Sequence, residues 1–83
     1  MKIEILGSGC PKCRKLYENA MEAGKQFPEG VEIVKVEDIL RITQLGMWST
    51  PGVAVDGKLI AQGRLLSVPE MALIIVNHLG GRS

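Results

Sequence analysis

Gly7-Ser8-Gly9-Cys10-Pro11-Lys12-Cys13 is a glycine-rich turn that follows a β-branched run and delivers two cysteines, three positions apart, onto the first turn of a helix. These are the only cysteines in the chain. A disulfide between them closes a very short ring, and the entropy that a cross-link removes from an unfolded chain grows with the logarithm of loop length. As a staple it contributes little. The pair therefore reads as chemical, either redox-active or metal-binding.

Working outward, Lys2 to Leu6 is a first strand that ends at Gly7, with Ile3 and Ile5 on one face and Glu4 and Leu6 on the other. Downstream the period changes. Cys13, Leu16 or Tyr17, Ala20, Met21, Gly24 and Phe27 recur at three and four, the mark of an amphipathic helix. Pro11 suits its first turn, where the missing N–H would be unpaired anyway, and Pro28 with Gly30 stops it. Gly24 costs this helix stability unless something packs closely on the backbone there.

Val31 to Val36 reads as a second strand. Asp38 is an N-cap for a short helix carrying Ile39, Leu40, Ile42, Thr43 and Leu45, with Gly46 as its stop. After the loop Met47 to Gly52, Asp56-Gly57 between Val53–Val55 and Lys58–Ala61 signals a hairpin. Gly63 to Leu66 is a connector. Ser67-Val68-Pro69-Glu70 has capping-box spacing, and Val68, Met71, Ala72, Ile75, Val76 and Leu79 supply the stripe of a closing helix that ends at Gly80-Gly81. The order β-α-β-α-β-β-α predicts an α/β fold. The first two strands are parallel through a right-handed crossover, and the hairpin completes a four-stranded mixed sheet packed by three helices. Both faces of the first and third strands should be covered. No repeat or linker divides residues 1–83, which read as one domain.

Composition narrows the partners. A net charge of +1 with interspersed signs gives no electrostatic footprint for nucleic acid or an anionic membrane. No stretch approaches a membrane span, and the apolar run at the N-terminus is too short for a signal-peptide core. The expectation is a soluble, cytoplasmic protein with no cofactor, in a compartment where a lone Cys-x-x-Cys is more often redox-active or metal-binding than a permanent bridge.

Cys10-Pro11-Lys12-Cys13 after the first strand, Thr50-Pro51 just before the third, Gly63 after the fourth and the closing amphipathic helix together resemble the thioredoxin superfamily. The likeness is to its minimal glutaredoxin-like members, the small redox-active disulfide proteins, and it covers nearly the whole chain. The resemblance implies a thiol–disulfide oxidoreductase with a thioredoxin-like fold and a cis Thr50-Pro51 bond lying against the cysteine pair. It further implies that the Thr50 backbone pairs with an extended substrate segment. There are departures. Gly9 stands where thioredoxins carry tryptophan, the central dipeptide is Pro-Lys, and Arg64-Leu65-Leu66 replaces the glycine and aspartate that follow the Gly63 position in glutathione-binding glutaredoxins.

A thiolate attacks disulfides, and the helix N-terminus favours an anion, which makes Cys10 the nucleophile. Cys13, one turn further in, is the resolving thiol. The helix start is inverted in charge, with Lys12, Arg14 and Lys15 ahead of Glu18 and Glu22. Lys12 is expected to help hold the Cys10 thiolate, while Arg14 and Lys15 read as a solvated face. Glu4 lies six positions before Cys10, the spacing at which thioredoxins carry a buried aspartate, and so is a candidate proton relay to Cys13. Met47, Trp48, Leu65 and Leu66 are expected to form an apolar docking rim, with Trp48 foremost. Tyr17 and His78 are assigned no role.

The expected partners are disulfide-containing protein clients and an upstream thiol reductase, and the expected state is a monomer. Two alternatives stand beside this reading. One is a copper- or zinc-binding Cys-x-x-Cys module, for which two thiolates leave a tetrahedral site half empty. The other is a non-catalytic redox sensor of the same fold.

Overall fold

The computed structural model describes residues 1–7, 11–27, 31–47 and 49–80, with side chains to residue 78. Its elements run β1 (Lys2–Leu6), α1 (Pro11–Gly24), β2 (Glu32–Val36), α2 (Ile39–Gln44), β3 (Gly52–Val55), β4 (Lys58–Gln62) and α3 (Val68–Gly80). The sheet order is β2-β1-β3-β4, with β1 parallel to β2 and antiparallel to β3. This is the mixed sheet that the alternation of periods predicts.

β1 and β3 are central and buried on both faces, which is why neither shows a clean polar side. Ile3, Ile5, Val53 and Val55 meet Leu16, Ala20 and Ala23 of α1 and Met71 and Ile75 of α3 on one face. Leu6 and Ala54 meet Ile42 and Met47 on the other. The parity of β1 thus divides the molecule into an α1/α3 layer and an α2 layer, and each side chain of β1 is committed to one of them.

The local signals act as their chemistry requires. Asp56 and Gly57 both take positive φ, 50° and 84°, as the two central residues of a tight hairpin do. Asp56 also fastens the hairpin to the start of β1, because its Oδ1 accepts from the Lys2 N–H at 2.7 Å and its own N–H donates to the Lys2 carbonyl at 2.8 Å. Asp38 caps α2 by accepting from the Leu40 N–H at 3.0 Å. At the other end Gly46 donates to Thr43 O and Met47 to Ile42 O, a Schellman closure with Gly46 at φ +81° and Met47 packed on Ile42.

One expectation is corrected. α1 ends at Gly24 and not at Phe27, because Gln26 and Phe27 donate to the carbonyls three residues back, tightening the last turn. A Cβ on Gly24 would stand 2.8 Å from Ile33 Cδ1, so the helix approaches β2 closely there. Of the apolar residues of α2 only Ile42 is buried, while Ile39 and Leu40 are 65% and 71% exposed. A helix this short presents only one turn to the sheet. Pro28 and Gly30 lie outside the described residues.

The capping box of α3 is closed in both directions. The Ser67 N–H donates to Glu70 Oε1 at 2.8 Å, the Glu70 N–H donates to Ser67 Oγ at 3.3 Å, and Arg64 adds a contact at 3.0 Å. The Ser67 backbone, then its hydroxyl, and after these Arg64, hold the Glu70 carboxyl below its ordinary value. A lowered folded pKa contributes stability that is complete above the unfolded value of about 4.5 and is lost as pH falls through the lowered one. Thermal melts should therefore show Glu70→Gln less stable than the parent at pH 7. The gap should close as both are brought to about pH 3.

Candidate functional site

The site is built where β1 runs out. Gly7 continues the ladder for one residue by donating its N–H to Val36 O at 3.0 Å, then turns with φ +152°. Any Cβ here would collide with Cys13 Sγ and stand 3.3 Å from Cys13 Cβ and 3.8 Å from Pro51 Cα. The absence of a side chain at Gly7 is therefore what lets the first turn of α1 and the loop before β3 close on the end of β1. Cys13 is 7% exposed and disulfide-bonded. Cys10 lies outside the described residues.

Opposite, the Thr50-Pro51 peptide bond is cis, Pro51 is fully buried and Thr50 is exposed. Gly63 donates its N–H to Pro51 O at 2.7 Å, and its φ of +72° brings it so close to Ser49 that a Cβ would lie 2.6 Å from Ser49 Oγ. The Gly63–Pro51 hydrogen bond thus joins loops twelve positions apart in the chain, leaving Thr50 and Gly63 exposed beside the buried Pro51.

Glu4 is 4% exposed and receives both ends of a guanidinium fork: Arg41 Nη2 donates to Oε1 at 2.9 Å and Arg41 Nε to Oε2 at 3.0 Å. Glu4 in turn raises the Arg41 pKa, first by hydrogen bonding and then by charge. Arg41 belongs to α2, so the carboxyl is held on the Leu6 face of β1, whereas Cys13 packs over Gly7 on the α1 side. Strand parity and this pairing give Glu4 a structural partner on the α2 side, whatever its part in the relay expected from its spacing to Cys10. Breaking such a pair strands a buried charge, while replacing both members with apolar residues does not. Arg41→Met should therefore lower the thermal midpoint clearly, Lys58→Met should not, and Glu4→Leu combined with Arg41→Met should recover most of the loss.

Beside Cys13 lies a cleft of about 150 Å³ lined by Ile5, Gly7, Cys13, Arg14, Lys35 and Glu37. Lys35 is set opposite Ile5 in the β1–β2 register, on the parity that faces α1, and its Nζ lies 5.1 Å from the centroid of the Tyr17 ring. The helix start contributes Arg14, with no acidic residue in that turn.

The comparisons with known proteins agree with this architecture. The thioredoxin domain family matches residues 1–76. A protein named thioredoxin from Methanothermobacter thermautotrophicus is 40% identical over 75 residues, spanning 90% of this chain and 97% of that one. Another so named, from Methanocaldococcus jannaschii, is 39% identical over 80 residues, spanning 96% and 92%. The chain belongs to the thioredoxin family. A solved structure described as that of a malarial protein shares the fold, with a TM-score of 0.73 over 94% of this chain and 96% of that one, at 14% identity.

Of the site residues that the sequence singles out, this thioredoxin-family fold brings together Cys13, Thr50, Pro51 and Gly63. Lys12 is exposed on the first turn of α1. The docking rim is corrected. Met47 and Leu66, 4% and 3% exposed, belong to the two cores, which leaves Leu65 as the exposed member, and Trp48 lies outside the described residues. Their roles differ from expectation because a loop residue next to a helix end is recruited to cover that end: Met47 closes α2, and the Leu66 carbonyl accepts from Asn19 Nδ2 of α1 at 2.9 Å. Sequence reasoning passes over Lys35 and Glu37; Arg14, read as part of a solvated face, is exposed and also lines the cleft. Parity is the signal that points to Lys35, since it shares a strand face with Ile33.

Proposed function

We propose that the chain is one thioredoxin-like domain that acts as a thiol–disulfide oxidoreductase on protein clients, with Cys10 as nucleophile and Cys13 as resolving thiol. The observation that carries this reading is Cys13, disulfide-bonded on the first turn of α1 and shielded between Gly7 and the Pro51 loop in a chain of this family. Cys10 precedes it by three residues at the cationic helix start, where an anionic sulfur is favoured, with Lys12 nearest in sequence.

The Cys10 thiolate attacks one sulfur of a client disulfide, forming a mixed disulfide and expelling the other client sulfur as a thiolate. Cys13 then loses its proton and attacks Cys10 Sγ, forming the Cys10–Cys13 disulfide and expelling the second client thiolate. Two electrons pass to the client, and an upstream thiol reductase returns them. The exposed Thr50 backbone and the adjoining Gly63 provide the edge on which an extended client segment pairs, with Trp48, two positions before Thr50 in the chain, as a further candidate contact. The compartment that fits this cycle is the cytoplasm, whose poise keeps thiols reduced.

The test is insulin disulfide reduction by the full chain with dithiothreitol as electron source, alongside the potential of the Cys10/Cys13 couple. Catalysed precipitation of the insulin B chain, with a potential in the range of about −270 to −120 mV, is the expected result. Tight stoichiometric zinc or copper with no turnover would overturn it.

A further inference from the structure

We propose that the cleft beside Cys13 is a carboxylate subsite, in which Arg14 and Lys35 select client disulfides flanked by an acidic residue. The proposal rests on the oxidoreductase reading and adds to it the kind of client that is preferred.

Four observations lead there. First, Gly7 and Cys13 both line the cleft, so it lies alongside the redox cysteine. Second, two cations reach it from different elements, Arg14 from α1 and Lys35 from β2, and neither shares an ion pair with a described carboxylate. Third, Lys35 is aimed. It stands on the strand face turned to α1, with its Nζ 5.1 Å from the Tyr17 ring centroid while the side chain stays exposed at the cleft mouth. Fourth, the volume of about 150 Å³ falls short of the few hundred that a whole small-molecule ligand fills, and suits one side chain of a larger partner. Glu37 lines the same cleft with the opposite sign, so the preference is moderated and can be strengthened by removing it.

The chemistry is unchanged by this subsite: one disulfide is reduced to two thiols as the protein dithiol closes to its disulfide. What changes is the rate for acidic substrates. A unit charge brought near another at the protein surface in water alters an encounter by about threefold, and salt screens the effect.

The experiment follows thiol release when the reduced full chain meets three small disulfides: dianionic 3,3'-dithiodipropionate, neutral 2-hydroxyethyl disulfide and cationic cystamine. Each rate is divided by that of dithiothreitol with the same compound. A matched pair of disulfide-linked peptides, flanked by aspartate or by lysine, is run beside them. The expected order is anionic, neutral, cationic, with the aspartate peptide ahead of the lysine peptide. Arg14→Gln and Lys35→Gln should each cut the anionic-to-cationic ratio about threefold, and Glu37→Gln should raise it. Lys58→Gln, an equal charge change on the far hairpin, should leave the ratio alone, and about 0.5 M salt should flatten the series. All three substitutions at the cleft are of exposed side chains, and circular dichroism checks the fold of each.

A ratio indifferent to Arg14→Gln and Lys35→Gln would overturn the proposal. So would a change of the same factor for all three disulfides, since that places the cations' effect on the protein sulfur and not on the substrate. Failure to reduce any disulfide, the neutral one included, would overturn the oxidoreductase reading itself.

Discussion

Cys10→Ser is expected to bring insulin reduction down to the rate of dithiothreitol alone, whereas Cys13→Ser should still form a covalent client adduct and then stall. The two cysteines differ in environment before they differ in chemistry. Cys13 is 7% exposed, with Gly7 closing over its sulfur, so a folded client cannot reach it. It can meet only a sulfur already delivered to the helix start. Without Cys13 the mixed disulfide on Cys10 has no internal thiol to release it and accumulates. Mass spectrometry of Cys13→Ser after exposure to a disulfide-bonded client should give the sum of the two masses, reversed by dithiothreitol. Adduct formation by Cys10→Ser in place of Cys13→Ser would reverse the assignment.

Gly7→Ala should cost far more stability than a glycine substitution that meets no neighbour. Two costs add there. The backbone at φ +152° is strained for any residue with a Cβ, and that Cβ would meet Cys13 Sγ with Pro51 Cα behind it. Neither neighbour is the free end of a long side chain that could swing away: one is held on a helix, the other in a buried loop. Strain and overpacking of this kind together cost about 2–5 kcal/mol. Gly46→Ala separates the two, because Gly46 also has positive φ but nothing within 4 Å of the added carbon. It should lose only about 1 kcal/mol. Urea unfolding of both variants measures the difference. Because the displaced atoms are those of the site, Gly7→Ala should also slow insulin reduction, while Gly46→Ala should not.

Much of this protein can be read from the chain because its signals are local. Asp38, Gly46, Asp56-Gly57 and the Ser67/Glu70 pair each act within a few residues, through hydrogen bonds that a short segment makes by itself. The change of hydrophobic period at Pro11 likewise separates strand from helix without reference to the rest of the fold. Element order and sheet class follow from these, as does the placing of Cys13 on the first turn of a helix.

The β-α-β-α-β-β-α order and the position of Cys13 in it are thus written in the chain, since propensity, capping and turn chemistry act between near neighbours. The partner of Glu4, the burial of Met47 and Leu66, and the meeting of Arg14, Lys35 and Glu37 at one cleft arise only when the elements pack. Spacing along the chain aligns Glu4 with the cysteines, but side-chain alternation turns it to the α2 face, where Arg41 satisfies it. Loop residues are drawn into the core for a similar reason: uncovered helix ends and sheet faces recruit whichever apolar side chain the packing brings near. Those contacts span tens of residues, and packing alone selects among the partners that the sequence permits.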